Sequence, residues 1–312
     1  MSLLHALRPR SIQLGPRVLS DGAPTYLIAE IGINHNGSLD NALLLIQSAA
    51  RAGWDCIKFQ KRTPELCVPP EQQGIERETP WGRMTYLEYR RRVEFGRPEY
   101  DAIDRACREL GIAWTASCWD EPSVEFITGY DVPFLKAASA SLTDHTLLKT
   151  MRQTGIPVML STGMSTLAEI RAAVRLVGTQ QLLLAHSTST YPCPVGELNL
   201  RMVTTLRKLF PWVPVGYSGH ETGLAPSCLA VSLGATFVER HVTLDRAMWG
   251  SDQAASLDPP RLCRLARKIR RIEQALGNGI KKVYPSEYGA LTRLRRVITP
   301  PPAAGLRLIA LR

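Results

Sequence analysis

The chain has 312 residues, of which 45% are hydrophobic and 21% are charged. This composition is typical of a globular protein with a sizeable core, and it excludes a chain that is disordered or coiled coil throughout. No apolar run approaches the roughly 18 residues that span a bilayer, and the N-terminus lacks the pattern of a secretory signal, so we expect neither. The 7 cysteines form no CxxC pair, which favours reduced thiols in a cytoplasmic protein.

The charge balance is basic, with 38 Lys and Arg against 28 Asp and Glu and a net charge of +10. The excess is spread along the chain. Its densest cluster, residues 261–273, carries leucine and isoleucine at helical spacing and is interpreted as the solvated face of an amphipathic helix. We therefore expect no nucleic-acid partner, whereas a positive surface favours a small anionic substrate.

Short apolar runs alternate with helical patterns along most of the chain. The candidate strands cover residues 26–31, 55–60, 112–117, 134–138, 157–161, 181–186, 213–218 and 236–242. The candidate helices cover residues 41–51, 100–110, 123–129, 145–153, 166–176, 200–209, 224–233 and 260–276. Eight strands alternating with eight helices over roughly 250 residues predict a single-domain (β/α)8 TIM barrel. A doubly wound α/β sheet is the alternative, but no GxGxxG opens a first strand–helix unit.

Three regions lie outside the repeat. Residues 1–25 are an N-terminal extension, expected to form a hairpin or strand that closes the bottom of the barrel. Residues 61–98 form a long loop after the second strand, expected on the catalytic face as a lid or a disordered segment. The barrel domain is assigned to residues 26–285 and a C-terminal tail to residues 286–312.

Polar side chains stand at the carboxyl ends of all eight candidate strands, where TIM barrels carry their chemistry. In the first two strands, Glu30 and Lys58 alternate with apolar neighbours, so both side chains are predicted to point into the barrel. A structural ion pair is an equal alternative for any one of these positions. A polar group at every strand end is harder to explain by packing, because barrel interiors prefer Val, Ile and Leu.

His220 and His241 end adjacent strands, one barrel step apart. Side chains at adjacent strand ends lie close enough to share a divalent metal with open positions. The alternative is that one or both are core histidines, but Glu30 and Glu239 at the same mouth favour a metal site.

Lysines, hydroxyls and exposed backbone amides at the same mouth are the donors of an anion site. They are Lys58, Lys136, Ser139, Ser161 to Gly163, and Ser218 to Gly219. These residues predict metal-assisted chemistry on a small, doubly anionic metabolite.

Seven segments, in order, resemble the sialic acid (N-acetylneuraminate) synthase family. They are residues 29–37 (AEIGINHNG), 57–60 (IKFQ), 160–164 (LSTGM), 186–192 (HSTSTYP), 214–223 (PVGYSGHETG), 239–245 (ERHVTLD) and 250–257 (GSDQAASL). The resemblance covers roughly residues 20–290. It implies a cytoplasmic transferase of carbohydrate biosynthesis that condenses phosphoenolpyruvate with an open-chain aldose, such as N-acetylmannosamine, and releases phosphate by C–O cleavage. It also implies a homodimer and a divalent metal, with Mn2+ preferred over Mg2+ or Co2+.

The resemblance also assigns roles by position. His220 and His241 match the metal ligands, and Glu30, Lys58 and Glu239 are the candidate catalytic residues. The positions that bind phosphoenolpyruvate match Lys58, Ser117, Lys136, Ser139, Ser161, Ser189 and Ser218, and those near the acceptor sugar match Tyr191 and Asp252.

The chain departs from the family pattern at a few positions. Ser189 replaces the asparagine of many members, and Ser141 stands where an acid near the acceptor is usual, so the acceptor sugar stays open. The family's C-terminal antifreeze-like domain is expected to be absent. Two alternatives are a degenerate member that only binds a sugar or a partner, and another metal-dependent barrel enzyme such as an aldolase or a hydrolase.

Overall fold

The computed structural model describes residues 10–296 and contains a closed barrel of eight parallel strands. In chain order these strands are β3 (Tyr26–Gly32), β4 (Cys56–Lys61), β7 (Ala113–Cys118), β8 (Leu135–Ala137), β9 (Val158–Ser161), β10 (Leu182–Ser187), β11 (Val215–Gly219) and β12 (Phe237–His241). Each pairs with the next, and β12 closes the barrel against β3. The predicted (β/α)8 barrel is confirmed, and each predicted strand overlaps an observed one.

A helix follows each barrel strand before the chain enters the next or leaves the barrel. These helices are α1 (Leu39–Arg51), α5 (Arg97–Leu110), α6 (Glu121–Thr128), α7 (His145–Gln153), α8 (Leu167–Val177), α9 (Arg201–Leu209), α10 (Ala225–Ser232) and α11 (Pro259–Leu276). Local sequence fixes their ends: Thr166 and Glu169 form a capping box at the start of α8. At the end of α5, Gly111 has φ 66°, a left-handed conformation that glycine adopts without strain.

Successive side chains of a barrel strand point alternately outward, toward the helices, and inward, into the barrel. In β3, Leu27, Ala29 and Ile31 pack outward in the large core between the barrel and its helices. Ile28, on the opposite face, belongs to a smaller cluster that also includes Phe134, directly before β8, and Phe237 in β12. These inward-facing apolar side chains fill the lower barrel. The polar side chains of the site lie above them, at the carboxyl ends of the strands.

The N-terminal extension forms the expected hairpin. Strands β1 (Ser11–Leu14) and β2 (Arg17–Ser20) pair antiparallel. Leu14 and Leu19 are almost fully buried in the same cluster as the inward-facing residues of the lower barrel. The hairpin therefore closes the bottom of the barrel, and residues 1–9 lie outside the described range.

The predicted long loop over residues 61–98 is a folded insertion between β4 and α5, so the alternative of a disordered segment was wrong, and its role as a lid stays a prediction. It contains α2 (Pro64–Cys67), α3 (Pro70–Gln73), the hairpin of β5 (Glu76–Thr79) with β6 (Gly82–Thr85), and α4 (Tyr86–Val93). Most of these elements have only four residues, too few to show a helical or strand period in the sequence.

The described chain beyond the barrel is short. Residues 10–275 belong to one compact unit, which ends earlier than the predicted boundary at 285, and residues 276–296 belong to a second unit. The second unit contains α12 (Tyr288–Leu294). The rest of the predicted tail, residues 297–312, lies outside the described range. Within residues 10–296, no helix combines the length and the hydrophobicity needed to cross a membrane.

Candidate active site

Because the barrel strands are parallel, their carboxyl ends meet at one mouth, and the sequence-predicted site residues meet there. They line one cavity of about 210 Å³. The predicted residues in its wall are Glu30, Lys58, Ser117, Lys136, Ser139, Ser161, Ser189, Tyr191, Ser218, His220, Glu239 and His241.

Two lysines and two glutamates form a chain of ion pairs across the cavity floor. Lys58 Nζ lies 2.5 Å from Glu30 Oε2 and 3.7 Å from Glu239 Oε1. Lys136 Nζ lies 2.5 Å from the same Glu239 oxygen. All four residues are less than 5% exposed. Alternating charges offset each other here, because an unpaired ion at this depth would cost several kcal/mol.

The two carboxyl groups differ in their affinity for a proton. Burial raises the pKa of Glu30 above its usual range, and the opposing Lys58 does not cancel that effect. For Glu239, burial is outweighed by the adjacent Lys136 and Lys58, which lower its pKa to about 2. Glu239 is therefore a fixed anion, whereas Glu30 is suited to exchange a proton.

Hydroxyl groups surround the lysines. Lys58 Nζ donates to Ser117 Oγ at 2.8 Å, and the hydroxyls of Ser139 and Ser161 are 3.0 Å apart. A Cβ at Gly163 would overlap Ser189 Oγ and come within 2.7 Å of Ser139 Oγ. Only glycine at this position allows the backbone and both hydroxyls to approach, as in sites where main-chain amides face an anion.

The two histidines face each other, with ring centroids 5.4 Å apart. Burial lowers the pKa of His220 to about 3 and that of His241 to about 4, so both rings are neutral near pH 7. His220 Nδ1 lies 2.7 Å from the carbonyl oxygen of Thr188 and must donate to it, which leaves Nε2 with a free lone pair. His241 Nδ1 is buried and has no hydrogen-bond partner among residues 10–296.

The two imidazoles are the side chains here that could hold a divalent ion. Neutral imidazoles are the form of histidine that binds metals. In the described part of the chain no group of three or more His, Cys, Asp or Glu side chains has the arrangement of a metal site. The protein would therefore supply two nitrogens, and the open positions would remain for water and substrate oxygens.

The predicted acceptor residues lie next to the histidines. The Tyr191 ring is 4.1 Å from that of His220, between centroids, and 5.8 Å from that of His241. Asp252 does not line the cavity itself, but its Oδ2 lies 3.7 Å from His241 Nδ1. Both residues are thus placed at the edge of the site where the histidines stand.

Several residues of the site were missed by the sequence analysis. Gln60 lines the cavity, and its Nε2 donates to Glu30 Oε1 at 3.0 Å. Trp119 and Met164 line it as well. Gln60 falls two residues after Lys58 on the same face of β4, so the period of a strand already placed it at the mouth.

A buried ion pair also escaped prediction. Arg240 and Glu221 are each at most 1% exposed, and Arg240 Nη1 lies 2.8 Å from Glu221 Oε1. Each adjoins one of the two histidines in sequence. The signal that could have found them is a charged residue directly beside each candidate ligand.

Comparison with known proteins gives a consistent result. The family model described as "NeuB family" matches residues 45–281. The chain is 38% identical to human N-acetylneuraminate-9-phosphate synthase over 93% of this chain and 82% of that protein. It is 33% identical to the N,N'-diacetyllegionaminic acid synthase of Legionella pneumophila, over 88% of this chain and 79% of that protein.

A solved structure agrees. The N-acetylneuraminic acid synthetase of Leptospira borgpetersenii, in complex with citrate, superposes with a TM-score of 0.82 at 30% identity. The match covers 93% of this chain and 99% of that one. Together with the barrel and its mouth, these matches show that the chain is an enzyme of the NeuB family of sialic-acid-type synthases.

Proposed function

We propose that this enzyme condenses phosphoenolpyruvate with an open-chain aldose to give a 2-keto-3-deoxy sugar acid, and releases phosphate by C–O cleavage. The observation that carries the proposal is the buried chain of Glu30, Lys58, Glu239 and Lys136, ringed by serine hydroxyls. This cavity offers two cations, several hydroxyl donors and a carboxyl that can exchange a proton, which suit the phosphate and carboxylate of phosphoenolpyruvate.

The lysines and serines suit the two anionic groups of phosphoenolpyruvate. Lys58 and Lys136 are point charges on the cavity floor, and Ser117, Ser139 and Ser161 offer directional hydrogen bonds. In a site that excludes water such charge-assisted bonds are stronger than at the surface. They hold the enol with its C3 free to meet the acceptor.

The acceptor aldehyde is placed at the histidine edge of the cavity, near Tyr191 and Asp252. His220 and His241 would hold a divalent metal, with Mn2+ preferred and Mg2+ or Co2+ as alternatives. When bound, that ion supplies Lewis acidity that makes the aldehyde carbon electrophilic.

Two glutamates of the protein, Glu30 and Glu239, act at the carbon of phosphoenolpyruvate that reacts with water. C3 of the enol forms the new C–C bond with the aldehyde carbon, and C2 becomes electron-poor. Glu30 takes a proton from the water that adds to C2, which its raised pKa favours. Glu239 stays ionised and stabilises positive character at C2. Glu30 passes the proton taken from water to the former aldehyde oxygen. The tetrahedral intermediate then breaks its C2–O bond to phosphate, the departing phosphate takes the proton of the C2 hydroxyl, and the ketone is left.

The relatives' names leave the acceptor open. Three relatives are named for a product phosphorylated at carbon 9, and others for products without that phosphate. The acceptor is therefore proposed only as an aldose with an open-chain aldehyde.

The proposal is tested by measuring phosphoenolpyruvate consumption with Mn2+ and a panel of aldoses, with and without EDTA. We expect consumption only when both an aldose and the metal are present. Lys136→Gln removes one charge-assisted contact, and we expect about 10- to 100-fold weaker phosphoenolpyruvate binding by calorimetry. Phosphate release that needs no aldose would indicate a hydrolase, and a folded protein that binds phosphoenolpyruvate no better than Lys136→Gln would contradict the proposal.

A further inference from the structure

A second cavity of about 430 Å³ lies beside the active site and is not used by the proposed reaction. The β5–β6 hairpin, α4 and the segment after β12 enclose it. The side chains that concern the argument are Arg77, Tyr86, Tyr89, Arg90, Trp249 and Ser251.

Two of these residues are arginines that pair with no carboxylate in the described part of the chain. Arg90 is only 6% exposed, yet its guanidinium has no salt bridge or hydrogen bond within residues 10–296. Arg77 is exposed and also forms no ion pair in that range. A buried charge without a counterion is costly, so an arginine in this state indicates a site for an anion.

Both arginines also lie near the same aromatic ring. Their guanidinium carbons lie 4.0 Å (Arg77) and 5.9 Å (Arg90) from the ring centroid of Tyr86. Two positively charged groups near one ring repel each other. A doubly charged anion bound by both would offset that repulsion. Glu78 is the one acidic residue on the cavity wall. Alternation in β5 points its side chain away from that of Arg77, toward its cross-strand neighbour Arg83.

This arginine cavity and the active site are linked by neighbouring residues of the chain. Ser251, on its wall, donates to Asp252 Oδ1 at 2.7 Å, and Asp252 lies 3.7 Å from His241. On the other side, Ile33 lines the arginine cavity, one residue after Gly32, whose added Cβ would lie 3.2 Å from Glu30. The arginine cavity is therefore adjacent to the histidine edge, where the aldehyde end of the sugar is proposed to bind.

We propose that Arg77 and Arg90 bind a phosphomonoester on the terminal carbon of the acceptor sugar. The inference rests on the proposed function, because it places the aldehyde end of the same molecule beside the histidines. Guanidinium groups match phosphate oxygens through two parallel hydrogen bonds, which a hydroxyl of an unphosphorylated sugar does not offer. The aromatic walls keep the arginines in place without a competing carboxylate.

The test compares N-acetylmannosamine with its 6-phosphate, as a matched pair, in phosphoenolpyruvate consumption at fixed Mn2+. We expect kcat/KM of the unaltered enzyme to be at least about tenfold higher with the 6-phosphate. Arg77→Gln is the primary variant, because Arg77 is exposed and forms no ion pair within residues 10–296, so we expect the variant to fold. Its loss of kcat/KM with the 6-phosphate should exceed its loss with the free sugar by about tenfold or more, and Arg90→Lys should show the same bias.

Arg83→Gln is the control, since Arg83 is an exposed arginine of the same hairpin, paired with Glu76 outside the cavity. Equal use of both acceptors, or equal losses in Arg77→Gln, would overturn the inference while leaving the condensation itself intact. If neither acceptor is consumed, the proposed function fails. Calorimetry then tests separately whether the arginine cavity binds the 6-phosphate. Binding of the 6-phosphate that is lost in Arg77→Gln supports the pocket, and binding that is absent or unchanged in the variant overturns it.

Discussion

The guanidinium of Arg240 in β12 and the carboxylate of Glu221, just after β11, join the two segments that carry the histidines. Their closest atoms are 2.8 Å apart in a position without solvent exposure. Arg240 Nη1 also donates to Ser227 Oγ at 2.9 Å, and Nη2 donates to the main-chain oxygen of Glu221. Glu221 follows His220, and Arg240 precedes His241. The ion pair therefore connects the backbone next to the two histidines and fixes the distance between their imidazoles.

The first prediction concerns that ion pair. Arg240→Ala leaves a buried carboxylate unpaired and should lower the free energy of unfolding by about 3–5 kcal/mol, measured by urea denaturation. Arg240→Lys keeps the positive charge but loses the planar set of hydrogen-bond donors of the guanidinium. We expect this variant to fold and to bind Mn2+ more weakly than the unaltered enzyme. A variant Arg240→Lys with unaltered stability and metal affinity would show that Arg240 does not position the histidines.

The histidines themselves are predicted to set the metal requirement. His241→Ala should leave the fold intact, abolish metal-dependent turnover and weaken Mn2+ binding by about tenfold or more, as seen in the paramagnetic resonance signal of free Mn2+. His145→Gln is the control, because His145 is exposed at the start of α7. Turnover of His241→Ala at the usual metal concentration would contradict the assignment.

Gly163 is predicted to be necessary for binding phosphoenolpyruvate. A Cβ there would collide with Ser189 and crowd Ser139, so Gly163→Ala should displace both hydroxyls. Overpacking of this kind costs about 1–3 kcal/mol, which corresponds to about 5- to 150-fold weaker binding by calorimetry. Gly74→Ala is the matched control, since a Cβ at Gly74 meets nothing within 4 Å. Equal affinities for both variants would exclude this role.

The N-terminal hairpin is predicted to stabilise the barrel. Leu14 is 1% exposed in the lower cluster, so Leu14→Ala should reduce the free energy of unfolding by about 2–5 kcal/mol through lost burial and a cavity. Val18→Ala removes an apolar side chain from the same hairpin that is 53% exposed and should have little effect. Similar midpoints of urea unfolding for the two variants would mean that the hairpin does not seal the barrel.

The barrel and most of its mouth follow from local patterns in the sequence. Alternation along β3 and β4 places Glu30 and Lys58 on the inner face, and the structure has both lining the cavity. The repeat of strands and helices then brings residues that are distant in sequence to the same edge. Each of these steps follows from the side-chain period of a strand and from the right-handed crossover between parallel strands.

The features that escaped prediction depend on contacts between distant segments. Arg240 lies on the outward face of β12, where alternation predicts an apolar residue, and its partner Glu221 comes from the preceding loop. Arg90 is charged and yet buried, and only the folded insertion shows which walls cover it. No local period reports such pairings, because they are decided by tertiary packing.

The central claim is C–C bond formation with C–O cleavage of phosphoenolpyruvate. The most direct measurement uses phosphoenolpyruvate labelled with 18O in the oxygen that bridges C2 and phosphorus, in a turnover with Mn2+ and a reactive aldose. We predict that the label leaves entirely in the released phosphate, while the ketone oxygen of the product comes from water. Label retained in the ketone, or in pyruvate with no sugar acid formed, would contradict the account.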